Sequence, residues 1–187
     1  MNSKLVFLSN FLRNPIEVAA IAPSSKYVIK NMMKHVDFKD VKCIVEYGPG
    51  IGTITTPMLR NLNEDAKLLC VESNEKFCEF LKSSIDDSRL IVINDTAENI
   101  DYHLERLSIK DIDYVFSGIP FSFIKRKNKE TIIKKTKDSL KKGGKFIVYQ
   151  QYNSHLGKYL KAHFDKVLKK FELRNILPTA IFVCEKI

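Results

Sequence analysis

The residues best placed for chemistry begin at Glu46 and run through a glycine-spaced turn. The segment Cys43–Thr55, CIVEYGPGIGTIT, carries glycines at every second position, Gly48, Gly50 and Gly52. A β-rich stretch that empties into such a turn and then into a helix brings backbone against a ligand, because glycine has no Cβ in the way. Two further acids end later apolar stretches. "LLCVES" closes on Glu72 and Ser73, with Glu72 24 residues after Gly48, and "IVINDTAEN" carries Asp95 and Thr96. A carboxylate at the first of these positions can accept both hydroxyls of a ribose, and one at the second suits an adenine amino group. Glu72 would also fit a dinucleotide, but the spacing GxGxG departs from the GxGxxG that seats a pyrophosphate on a helix N-terminus.

These residues work together only if their segments lie side by side. Residues 42–47, 67–72, 89–94, 112–117 and 145–151 read as short apolar strands. Helical patterns fall between them at about 53–62, 74–86, 97–107 and 128–141, the last stopped by Gly143-Gly144. Strand and helix alternating at this spacing predict a parallel sheet with crossover helices, whose strand ends converge on one crevice. A helix at 154–163 then leads to "DKVLKKFEL", the turn "RNILP" and "TAIFVCEKI", a terminal hairpin. Its last strand is expected to run antiparallel beside the fifth. Before the first strand, Ser24 or Ser25 caps a helix begun after Pro23. Residues 3–13 carry Leu5, Leu8, Phe11 and Leu12 on one helical face, with Val6 and Phe7 widening it. That face either packs on the domain or lies in a membrane interface.

The 187 residues suffice for one domain with its own core, 1–187, divided into an N-terminal helical segment, 1–36, and a core, 37–187. No run approaches the ~20 apolar residues that span a bilayer, and no secretory signal opens the chain, so an intracellular location is expected. Cys43, Cys70, Cys78 and Cys184 show no CxxC spacing and read as buried thiols, with no metal site expected. The net charge of +9 is unevenly spread: Lys125–Lys145 holds ten basic residues against Glu130 and Asp138, a net +8. Such a segment is either a solvated helix face or a surface for phosphate, on lipid or nucleic acid.

"VEYGPGIG", "VES" and "NDTAEN" together resemble the successive motifs of class I S-adenosylmethionine-dependent methyltransferases, over roughly residues 42–151. The resemblance implies a Rossmann-like α/β fold. Its seven-stranded, mostly parallel sheet has an antiparallel last strand and helices on both faces. It implies S-adenosyl-L-methionine as cofactor and S-adenosyl-L-homocysteine as product. The cofactor residues it implies are Glu46, Gly48, Gly50, Gly52, Glu72, Ser73, Asp95, Thr96 and Ser117. The methionine tail would cross the turn where a Cβ at Gly48 or Gly50 would intrude. Glu46 would help hold the ammonium, directly or indirectly, Glu72 would hold the ribose, and Asp95 with the backbone near Thr96 the adenine.

The fourth strand ends "DYVFSGIPFSFI", which flanks the methyl group in this fold. Ile119-Pro120-Phe121 resembles the Asn-Ile/Leu-Pro-Phe/Tyr motif of RNA adenine N6-dimethyltransferases. There the Asn side chain and Pro carbonyl hold the target amine, and the aromatic stacks on the flipped base. Gly118 replaces that Asn. A longer resemblance runs to the bacterial phospholipid N-methyltransferases: "FLRNPIEVAAIAPSSKYV", "SGIPF" and "RNILPTA" are similar to their N-terminal, acceptor-loop and hairpin segments. Phe121 after the proline and Thr179 depart from that pattern. This resemblance implies methylation of the phosphatidylethanolamine amine, towards phosphatidylcholine, by a peripheral protein on the inner face of the cell membrane. The implied partners are an anionic membrane and its phospholipid, with nucleic acid the alternative and no obligate protein partner. The acceptor-side candidates are Ser117, Gly118, Ile119 and Pro120 in the loop, with Tyr27 and Tyr149 to orient the amine or face methylated ammonium. Tyr152 and His155 stand near the same strand ends, and Lys125 or Arg126 are candidates for the lipid phosphate.

Overall fold

The computed structural model describes residues 26–150, 155–174 and 178–187. The expected helix at 3–13, the caps Ser24 and Ser25, Tyr152 and most of the hairpin turn lie outside those residues. Seven strands form one sheet in the order β3-β2-β1-β4-β5-β7-β6. They are β1 Cys43–Tyr47, β2 Lys67–Glu72, β3 Leu90–Asn94, β4 Ile112–Ser117, β5 Leu140–Gln150, β6 Lys166–Glu172 and β7 Thr179–Glu185. The first five run parallel, and β7 runs antiparallel to both β5 and β6. The mixed sheet with an antiparallel last strand is therefore as the sequence led one to expect.

Side chains alternate between two cores, as a period of two requires. Val45, Leu69, Val115, Phe146 and Val148 point to one face; Ile44, Leu68, Cys70, Phe116 and Ile147 point to the other. Both faces are covered, so the central strands read as unbroken apolar runs. Helices α1 Lys26–Met33 and α2 Thr55–Asn61 cover the second face through Val28, Met32, Met58 and Leu59. Helix α3 Glu75–Ser84 starts at Asn74, whose side chain accepts from the Lys76 N–H, and lies against β2 and β3. Helices α4 Ile100–Arg106, α5 Arg126–Ser139 and α6 Leu156–His163 cover the first face with Ile100, Leu104, Ile132, Ile133, Leu156 and Leu160. All four cysteines are buried and unpaired. Burial pushes the Cys43 and Cys184 thiols up to about 12.

One expected boundary is wrong. The Gly143-Gly144 pair does not stop the helix, which ends four residues earlier at Ser139. Leu140 leaves in an extended conformation, is fully buried and pairs with Ile112; the next pair is Tyr114 with Lys145. Residues 141–144 are thus a bulge within β5. Gly143, at φ +77°, donates its N–H to the Lys186 carbonyl at 2.7 Å. A Cβ at Gly144 would stand 2.9 Å from the Lys141 carbonyl oxygen and 3.0 Å from that of Asp113. The glycines serve the strand's register because burying Leu140 outweighs one more helical turn.

The +8 segment is divided by the same geometry. Helix α5 is 14 residues long, roughly 21 Å, and runs away from the carboxyl ends of the strands. Lys125, Arg126 and Lys127 stand exposed at that end; Lys141, Lys142 and Lys145 lie at the far one. Several cations are already partnered: Arg126 with Glu130, Lys135 with Asp101, Lys137 with Asp165 and Lys141 with Asp113. Lys129 is buried, its Nζ 5.0 Å from the Tyr159 ring centre. The segment is thus not one continuous phosphate surface.

Candidate functional site

Strand order reverses between β1 and β4, and a crevice opens beyond their carboxyl ends, where a doubly wound sheet binds its ligand. The glycine turn forms one wall. Gly48 donates its N–H to the Val71 carbonyl at 2.9 Å, and Gly118 donates to the Tyr47 carbonyl at 2.9 Å, so both loops are fixed to the strand tips. Gly48, Gly50 and Gly52 have φ of +67°, +55° and +76°. Their surroundings differ. A Cβ at Gly48 would meet Ile119 Cγ2 at 2.8 Å, one at Gly52 would meet Leu81 Cδ2 at 2.9 Å, and one at Gly50 would meet nothing within 4 Å. Only Gly50 faces open space.

The three acids sit at three depths. Glu46 is buried behind the turn, accepting from the Thr55 hydroxyl at 2.6 Å and lying 3.5 Å from Cys70 Sγ. Burial pushes its carboxyl up to about 7 against the Thr55 hydrogen bond. Glu72 accepts the Gly50 N–H at 3.2 Å and the Asn74 N–H at 2.9 Å, tying the glycine turn to the tip of β2. Burial raises its pKa and these N–H groups oppose the rise. Asp95 is the most accessible. Its Oδ1 accepts from the Thr96 N–H at 2.7 Å and the Asn99 amide at 2.9 Å, and its Oδ2 meets His103 Nε2 at 2.7 Å. The His103 contact holds its carboxyl below the usual range.

On the opposite wall, Ser117 ends β4 fully buried, its Oγ without a hydrogen-bond partner among the described residues. A Cβ at Gly118 would stand 2.8 Å from the Tyr149 hydroxyl and 3.0 Å from the Gly48 carbonyl oxygen. Tyr149 therefore fills the space that a side chain at 118 would need. The Gln150 amide donates to the Ile119 carbonyl at 2.9 Å and braces the loop through Pro120. Phe121 turns inward, fully buried, its ring edge-on to Phe146 at 6.5 Å, while Phe123 is 57% exposed.

The cleft brings together Gly48, Glu72, Ser73, Asp95, Thr96 and Ile119, with Ala97, Ile124 and Ile132 supplying apolar walls. Tyr27 lies elsewhere at the same end of the sheet, its ring 4.5 Å from the Arg174 guanidinium at the β6–β7 hairpin. His155 precedes α6 and is exposed. His103, Asn99 and Gln150 have no counterpart among the residues expected from sequence. The spacing Asp95, Asn99, His103 does carry a helical signal of one polar face; Gln150 carries none. Among the described residues, no group of three His, Cys, Asp or Glu could hold a metal ion.

These residues fit S-adenosylmethionine. Gly48 lines the cleft and the space beside neighbouring Gly50 is open, Glu72 and Asp95 offer acceptors from adjacent strand tips, and apolar side chains flank the space between. The family model of the methyltransferase small domain matches residues 19–174. An ornithine lipid N-methyltransferase of Singulisphaera acidiphila is 22% identical over 98% of this chain and 96% of its own length. A ribosomal RNA small subunit methyltransferase A of Buchnera aphidicola is 31% identical over 52% of this chain and 35% of its own length. Among solved structures, precorrin-6y C5,15-methyltransferase of Geobacter metallireducens superposes with a TM-score of 0.68 at 16% identity, covering 86% of this chain and 88% of that one. The T. thermophilus 16S rRNA N2 G1207 methyltransferase, solved with AdoMet and guanosine, gives 0.64 at 15% identity over 95% and 45%. Both share the fold.

Proposed function

This chain belongs to the methyltransferase small domain family, and we propose that the acceptor of its S-adenosylmethionine-dependent methyl transfer is the primary amine of a membrane lipid, phosphatidylethanolamine first. The observation that carries this reading is the likeness to a lipid N-methyltransferase, which runs nearly end to end through both chains. The rRNA relative matches about half of this one.

The acceptor loop favours the same reading. A methyltransferase of the RNA adenine type needs an acceptor side chain before the Ile-Pro pair and an aromatic ring free to stack on the base. Here Tyr149 fills the space beside Gly118, and Phe121 is consumed by the core. The loop thus offers neither the side-chain acceptor nor the free ring that a flipped base would use, which leaves an alkyl amine as the better-suited acceptor. Tyr149 would orient that amine, and its ring face would favour a cation as methyls accumulate.

Bound S-adenosylmethionine supplies a sulfonium methyl open to in-line attack by an amine. The chain's own task is positioning. Gly50 and Gly48 keep the turn free of side chains, Glu72 accepts from the ribose while holding Gly50, and Asp95 accepts from the adenine. Ser117, Gly118, Ile119 and Pro120 shape the acceptor side, held in place by Gln150. In this reading the protein is peripheral on the inner face of the cell membrane. Exposed Phe123 closely precedes exposed Lys125 and Lys127 after β4, and exposed Phe171, with Lys169 Nζ 4.7 Å from its ring, and Leu173 stand where β6 ends; apolar rings with cations nearby suit an anionic interface. Among the described residues no helix is long and apolar enough to cross a membrane.

Radiolabelled S-adenosylmethionine tests the proposal with three acceptors in parallel: anionic vesicles containing phosphatidylethanolamine, the same vesicles containing ornithine lipid, and total RNA. Label in phosphatidylethanolamine is the expected result. Label in ornithine lipid alone would move the headgroup and keep the class, and label in RNA alone would overturn the reading.

A further inference from the structure

Asp95 is the most exposed of the three site acids, and an exposed carboxylate turns freely about its side-chain bonds unless something holds it. Here three donors hold it. Oδ1 takes the Thr96 N–H at 2.7 Å and the Asn99 amide at 2.9 Å, and Oδ2 meets His103 Nε2 at 2.7 Å. The His103 side chain is 10% exposed and that of Asp95 27%. A buried ring therefore anchors a carboxylate that faces the cleft. Asn99 and His103 follow Asp95 by four and eight residues, so the short 3₁₀ turn Ala97–Asn99 and helix α4 present both back to the strand tip. The Tyr102 ring stands edge-on to His103 at 5.1 Å.

A carboxylate offers about four lone-pair positions. With three engaged, one remains, and its direction is fixed. We propose that His103 and Asn99 are positioning residues that aim the last acceptor position of Asp95 at the adenine 6-amino group, and so set the preference of this site for adenine over a 6-oxo purine. The proposal rests on the cofactor assignment made above. An amine donates to that position; a 6-oxo group presents an acceptor to an acceptor, and a site committed to receiving N–H discriminates strongly against such an analogue. If Asp95 were free to rotate, it could turn away from the oxo group, so affinity for the analogue would rise and discrimination would fall.

The measurement is calorimetric titration of the full chain with S-adenosylhomocysteine and with S-inosylhomocysteine, whose hypoxanthine carries the 6-oxo group. The wild-type chain is expected to prefer the adenosyl compound by at least tenfold. His103→Leu should cut that preference to about threefold or less. His103→Gln should restore most of it, because a Gln amide reaches Asp95 with an N–H donor. Asn99 is exposed, so Asn99→Ala tests the second donor without disturbing the core, and a smaller loss of preference is expected. A generic packing defect would weaken both compounds equally and leave the ratio unchanged. An unchanged ratio in both His103→Leu and Asn99→Ala would overturn the proposal alone. Failure of the wild-type chain to bind either compound would overturn the cofactor assignment and this proposal with it.

Discussion

Replacing Gly48 and Gly50 in turn by alanine separates what the glycine turn does for the fold from what it does for the ligand. Both residues sit at positive φ, +67° and +55°, where an L-residue is strained by roughly 1–2 kcal/mol. At Gly50 that strain is the whole cost to folding, since a Cβ there meets nothing within 4 Å. At Gly48 the Cβ also arrives 2.8 Å from Ile119 Cγ2, an overpacked contact worth a further ~1–3 kcal/mol. Gly48→Ala should therefore lose about 2–5 kcal/mol and Gly50→Ala about 1–2. In melting temperature, at roughly 2–4 °C per kcal/mol for a chain of this size, that is about 4–20 °C against about 2–8 °C. Adding Ile119→Ala to Gly48→Ala should recover part of the packing loss and none of the φ strain. Binding should rank in the opposite sense once only folded protein is counted. Gly50→Ala places a methyl in the open space assigned to the methionine tail and should weaken S-adenosylhomocysteine at least tenfold. Urea denaturation gives the stabilities and calorimetric titration the affinities. Wild-type affinity in Gly50→Ala would refute the path assigned to the tail. Equal stability losses in the two variants would refute the Gly48–Ile119 contact as the source of the difference.

Three further outcomes follow from the site and its surroundings. Gly118→Ala should lose ~1–3 kcal/mol in urea denaturation by pressing on the Tyr149 hydroxyl, and Tyr149→Ala in the same chain should return part of it; strict additivity of the two losses would mean the residues do not compete for the same space. Glu46, with its carboxyl raised by burial to about 7, holds a proton in the folded chain that it releases in the unfolded chain above about pH 4.5, so it lowers stability progressively between those pH values. Glu46→Gln should therefore gain on the wild type from pH 5 to pH 8 by up to ~3 kcal/mol, and a constant difference across that range would show that Glu46 does not titrate there. Lys125→Glu with Lys127→Glu should weaken binding to phosphatidylglycerol vesicles by more than tenfold at low salt, at about 1 kcal/mol per lysine, while leaving S-adenosylhomocysteine affinity unchanged; unaltered vesicle cosedimentation would remove these cations from the membrane surface.

Much of this protein is legible in its sequence because the relevant constraints are local or periodic. Burial on both faces makes continuous apolar runs, and helices between them impose their own spacing, so the strands and their order in the chain could be read directly. The glycines at 48, 50 and 52 announce a turn that no side chain could occupy. The acids at 72 and 95 lie at strand ends, which a parallel sheet must bring to one edge.

Tertiary structure decided what depends on distance across the sheet. The sequence marks three glycines alike; only the fold shows that Gly48 is pressed by Ile119, Gly52 by Leu81, and that Gly50 alone faces open space. Glu46 stands in the motif like the other acids; only the fold shows that it is buried behind the turn and hydrogen-bonded to Thr55. Phe121 reads as a ring beside a pocket, but the step from β4 into the following turn sends it into the core. Gly143 and Gly144 have the composition of a helix stop; burial of Leu140 ended the helix first and left them to a bulge. Tyr149 and Gln150 reach the acceptor loop only because β5 pairs with β4 in one register, a long-range choice made by packing of both sheet faces together. Local pattern fixes where a strand or turn can form; the pairing of strands far apart in the chain then decides which side chain faces the ligand.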